Sequence, residues 1–169
     1  MSARPGTIGL TEIAGEVGKL IEIGQGLNGE GFRKWEHAFV LLPGGMILEA
    51  EPGGARIVPM HYADVYWCDN IRRLLASWPD DDPEWMATAE PFKGVGYSAL
   101  DYLALAAHRL HIPVPGLKGY IEDGGHEICS QMADDFYQRL GAHIFTDQRW
   151  NGYVTPASLY RRDQELAHA

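Results

Sequence analysis

The chain reads as an α+β protein in which an antiparallel sheet packs against helices. Three observations lead there. Two apolar, partly alternating runs, Trp35 to Leu42 and Met46 to Glu51, are joined by Pro43-Gly44-Gly45, the pattern of a β-hairpin. A second turn, Pro52-Gly53-Gly54, follows, with further strand-like runs at Arg56 to Met60 and Val65 to Cys68. The second half changes period, and its apolar residues recur at helical spacing. A length of 169 residues fits one domain, 1–169, with one core.

Taken in order, Gly6 to Leu10 predicts a short strand, which makes a sheet of four or five strands. Thr11 can cap a helix from about Glu12 to Ile23, where Ile13, Val17, Leu20 and Ile21 share a face. The stretch Gly24 to Gly31 reads as a loop; its Gly24-Gln25-Gly26 follows a helix, whereas a dinucleotide-binding turn follows a strand. Beyond the sheet, Asn70 is expected to cap a helix to Ser77. Asp82-Pro83 should start another, since proline suits the first helical position. Ser98 should cap a long helix to about His111, ended by Pro113 and Pro115. Ile128, Met132, Phe136 and Leu140 form the stripe of a helix that Gly141 stops. Thr155-Pro156 should open a short last helix, with a frayed tail after Arg162.

Apolar residues make up 46% and charged residues 22%, a globular balance without an apolar run long enough to span a membrane. The start, Met1 to Gly6, lacks the apolar core of a signal peptide, so a cytoplasmic location is expected; export by another route, such as phage-assisted lysis, would leave no trace. The formal charge is −9, and basic residues cluster only at Arg72-Arg73 and Arg161-Arg162, which argues against a nucleic-acid partner. Asp80-Asp81-Asp82 reads as a solvated loop, without the ligand spacing or glycine of an EF-hand. Of two cysteines, Cys68 and Cys129, one inert and one reactive is the useful hypothesis, since a core of this size needs no disulfide.

Cys129 falls at a helix start, where unpaired amides and the helix dipole favour the thiolate, the reactive form. His37 opens a strand and can serve as its base, the usual pairing of residues distant in sequence. A third group should accept a hydrogen bond from the imidazole and fix its tautomer. With a three-residue loop at Pro43 to Gly45, Phe39 faces Glu49 and His37 faces Glu51, so both glutamates share the face of His37; a two-residue loop would reverse that parity.

The string Trp35-Glu36-His37-Ala38-Phe39-Val40, followed by Ile47-Leu48-Glu49-Ala50, resembles the histidine strand, turn and Glu-Ala strand of the circularly permuted, papain-like NlpC-type hydrolases, the YiiX-like family. Gly94-Val95-Gly96-Tyr97-Ser98 resembles that family's segment before the cysteine, and Ile128-Cys129-Ser130-Gln131-Met132 its Cys-Ser-Glu-Leu helix start, with Gln131 in place of the glutamate. Val154 to Leu159 resembles its closing Thr-Pro-x-x-Leu segment, and Gly6 to Leu10 its first strand, with Thr7 where aspartate is common. The resemblance implies a papain-like fold carrying a catalytic Cys129-His37-Glu49 triad, with Glu49 preferred to Glu51 by position, and Tyr97 as a cleft residue. Trp35 and Glu51 are expected beside Tyr97 on the substrate side. It implies hydrolysis of an amide in a cell-wall peptide or related acyl amide, or of a lipid ester with acyl transfer as a variant, and it requires no cofactor or metal.

Two other readings compete. His126-Glu127-Ile128-Cys129 places a histidine and a cysteine three apart, but further zinc ligands at recognisable spacing are missing. The fold can also serve as a non-catalytic binding or structural module, for instance of a phage particle.

Overall fold

The computed structural model describes residues 3–12, 35–51, 54–95, 129–147 and 154–169. Five strands form one antiparallel sheet: β1 (Ile8–Thr11), β2 (His37–Leu42), β3 (Met46–Glu51), β4 (Gly54–Pro59) and β5 (Tyr66–Trp67), in the order β4-β3-β2-β1-β5. The architecture is α+β, with each expected strand present, β3 over the expected residues and the ends of the others within two residues of expectation. A three-residue turn, Pro43–Gly45, joins β2 to β3, and both its glycines adopt φ +71, a left-handed conformation open to residues without a Cβ. The register that follows sets Phe39 opposite Glu49 and Leu42 opposite Met46. Glu51 pairs with Gly54 across the next turn, which sets Glu49 opposite Arg56.

The alternation along β2 separates two faces. Ala38, Val40 and Leu42 join Ile8, Leu10, Leu48 and Ala50 in the main core, against Met132, Ala133 and Phe136 of a helix, α3 (Cys129–Arg139). His37 and Phe39 point the other way, as does Glu49. There the Phe39 ring lies over Gly9, its partner on β1; a Cβ at Gly9 would stand 2.2 Å from the ring. Tyr62 stacks on Phe39 at 5.1 Å, and Trp67 meets it edge-on at 5.7 Å.

The helices depart from expectation in instructive ways. The first, α1 (Asp69–Arg72), runs into a tight turn at Arg73–Leu75, short of Ser77. Asn70 is not its cap. The amides of Asn70 and Ile71 instead donate to Asp163 Oδ1 at 2.8 and 2.9 Å, so a carboxylate from another helix caps α1. α2 (Glu84–Ala89) starts after Pro83, and Asp82 Oδ1 accepts from the Glu84 amide at 2.9 Å, so the acidic run is part structural. Gly141, at φ +77, follows the end of α3. The last helix, α4 (Pro156–Ala167), is opened by a reciprocal Thr155–Ser158 cap and is neither short nor frayed after Arg162. Its second half is held because Asp163 is engaged with α1 and with the Tyr66 hydroxyl (2.7 Å), and Gln164 also bonds Tyr66. Thr11 belongs to β1, pairs with His37, and donates its hydroxyl to Asp64 O at 3.0 Å; the helix expected after it, the Gly24 to Gly31 loop and the helix from Ser98 lie outside the described residues. Among the described residues no helix is long and apolar enough to cross a membrane.

Two substitutions probe these joints. Asp163→Ala leaves one buried and one part-buried amide without this acceptor and should lower stability by about 3 kcal/mol in urea unfolding, whereas Asp163→Asn should cost less. Gly9→Ala should cost on the order of 1–3 kcal/mol by forcing Phe39 aside, with loss of the near-UV signal of the Phe39–Tyr62–Trp67 cluster.

Candidate active site

His37 is the first residue of β2, and Glu49 lies on β3 directly opposite Phe39, two residues along from His37. With three residues in the connecting turn, the two side chains share a face as diagonal neighbours, within reach of a long side chain. His37 Nε2 stands 3.4 Å from Glu49 Oε2, with His37 2% and Glu49 0% exposed. Cys129 is the first described residue of α3, which packs on β2, and its side chain hydrogen-bonds with the His37 ring. Ser130 fixes this helix start by donating to Val154 O at 2.7 Å, directly before the cap of α4.

Glu49 carries further partners. Arg56 approaches Oε1 through Nε at 2.9 Å and Nη2 at 2.8 Å, and the Tyr62 hydroxyl donates to Oε2 at 2.7 Å. Burial alone would push this carboxyl up; the His37 contact, the Tyr62 hydroxyl and the Arg56 guanidinium reverse that and hold it at about 2. Burial alone would push the His37 pKa down; the Cys129 side chain, by hydrogen bond and charge, and then Glu49 outweigh it and raise His37 to about 9. The attraction that favours the imidazolium equally favours the thiolate, since it is one shared energy.

Of the residues expected from sequence, the structure brings Cys129, His37 and Glu49 together. Trp35, partly buried, joins an aromatic cluster with Tyr66 at 5.7 Å and Tyr160 at 6.5 Å. Tyr97, the Glu51 side chain and the His126-Glu127 pair lie outside the described residues. Among the described residues no group of three or more His, Cys, Asp or Glu is placed to hold a metal ion. Sequence reasoning missed Arg56 and Tyr62. Arg56 was within reach, because the pairing of Glu51 with Gly54 sets it opposite Glu49. Tyr62 carries no such signal, since the chain returns it to the sheet face from beyond the end of β4.

The pair gives stability a defined pH dependence. The contribution of His37, raised from 6.5, is complete below 6.5 and is lost as pH rises through about 9. That of Glu49, lowered from 4.5, is complete above 4.5 and is lost as pH falls through about 2. Thermal unfolding should therefore show a decline in stability from near pH 6.5 to 9. Glu49→Gln, which removes the negative charge, should shift that decline to lower pH; an unchanged profile would contradict the assignment.

Compared with known proteins, the chain matches no family model and no curated relative.

Proposed function

We propose that the chain is a cysteine hydrolase, an amidase or peptidase of the circularly permuted papain-like type, in which Cys129 is the nucleophile, His37 its acid–base partner and Glu49 the group that positions His37. The observation that carries this reading is the buried chain of contacts from the helix-start Cys129 through His37 to Glu49.

In the proposed reaction the Cys129 thiolate attacks the carbonyl carbon of an acyl amide, and the helix-start amides, that of Cys129 first, stabilise the oxyanion. His37 gives its proton to the departing nitrogen as the C–N bond breaks, leaving a thioester on Cys129. Neutral His37 then takes a proton from water. The hydroxide adds to the thioester carbonyl, the C–S bond breaks, and the carboxylic acid product leaves with the thiolate and imidazolium restored. The resemblance in sequence favours a cell-wall peptide as substrate.

Incubation with cell-wall peptides and with acyl esters should yield a mass adduct on Cys129. Cys129→Ala and His37→Ala should each reduce turnover by about a thousandfold or more while keeping the fold. Preference for the esters would redirect the substrate class and leave the nucleophile standing. Brief iodoacetamide treatment at neutral pH should label Cys129 ahead of Cys68, whose buried thiol is pushed well up by burial and by Asp163 and Asp69. Equal labelling of the two in the folded protein, or full activity in Cys129→Ala, sinks the reading.

A further inference from the structure

We infer that Tyr62 and Arg56 are positioning residues that set the strength of the His37–Glu49 contact by competing for the same carboxylate. The inference rests on the reading of His37 and Glu49 just proposed. The geometry is asymmetric. Oε1 of Glu49 is taken by the guanidinium of Arg56 at 2.8 and 2.9 Å, and Oε2 by the Tyr62 hydroxyl at 2.7 Å. His37 Nε2 is left with the longest approach, 3.4 Å to that same Oε2, beyond a well-formed N–H···O bond. Tyr62 is held in this place independently, by stacking on Phe39 at 5.1 Å with its ring 5.7 Å from that of His37. The half-exposed Arg56 is fixed opposite Glu49 by the strand register.

A carboxylate oxygen shared with a short O–H donor offers less negative charge to a second donor. Arg56 acts in the same direction, because its positive charge opposes that of the imidazolium. Both residues thus hold Glu49 anchored and ionised while keeping it from closing fully on His37. That leaves the imidazolium able to release its proton to a leaving group.

The test follows His37 by NMR titration of its labelled ring, assigned by difference against His37→Gln, and needs no substrate. Tyr62→Phe keeps the stacking ring and removes only the hydroxyl; it should raise the His37 midpoint by roughly half a pKa unit, a threefold change in proton affinity. Arg56→Met should raise it as well, and Arg56→Lys, which keeps the charge, should restore a value near that of the unaltered protein. A midpoint that stays fixed or falls in both Tyr62→Phe and Arg56→Met overturns the inference, since a merely structural loss would loosen Glu49 and lower it. The hydrolase reading is tested separately by Cys129→Ala. A raised midpoint in a protein that hydrolyses nothing would support the tuning of His37 and count against catalysis alone.

Discussion

A carboxylate with no exposed surface stays ionised only where donors replace its water, and Glu49 meets that condition with three side chains from separate segments. Each donor arrives by a different structural route. His37 is delivered by the turn between β2 and β3, Arg56 by the turn between β3 and β4, and Tyr62 by a stacking contact with Phe39. Loss of any one leaves the others facing an under-compensated buried charge. The register of β3 against both of its neighbours is therefore the constraint on which the candidate site depends. A slip of one residue would turn Glu49 into the apolar core against Met132, Ala133 and Phe136 of α3.

Another buried carboxylate, Asp163, clarifies Glu49 by contrast. Asp163, 1% exposed, is satisfied by two backbone amides of α1, the Asn70 side chain and the Tyr66 hydroxyl. Its principal donors are fixed backbone groups, so it acts as a fastener that locks α4 to α1 and to the end of the sheet. Glu49 is held by side chains, one of which is an imidazole able to give up its proton. Equal burial thus yields a joint in one place and a titrating centre in the other.

Much of the sheet was legible in the sequence because local chemistry specified it. Gly44 and Gly45 take left-handed conformations, the loop holds three residues, and the parity of Glu49 with His37 follows without knowledge of the rest of the fold. The helix that carries Cys129 was legible for the same reason, from its apolar stripe and Gly141 that ends it. What was not legible came from partners far along the chain. Asn70 looked like a cap because asparagine favours that position, but the cap is supplied by Asp163, 93 residues away. The end of α4 looked frayed because its sequence is polar, yet two of those polar residues are bonded to Tyr66 and α1. Tyr62 was invisible because nothing local requires a tyrosine between His61 and Ala63.

The proposed base sits at the first residue of its strand and the proposed nucleophile at the first described residue of its helix, and this placement has a mechanical consequence. A side chain at an element's start is held on one side by regular structure and depends on outside contacts on the other. For Cys129 that contact is one residue on, where Ser130 bonds Val154 O and so ties α3 to the capped start of α4. For His37 it is the pairing with Thr11 and the bond from the Glu36 amide to Thr11 O, at 3.1 Å, which hold the head of β2 against β1. The packing of α3 across β2 then joins the anchored ends, so the thiol and imidazole are set by backbone joints and the carboxylate by side-chain donors. Under the proposed mechanism the atoms to be aligned are thus held by backbone joints, and the side-chain donors act one contact behind, on the carboxylate that faces His37.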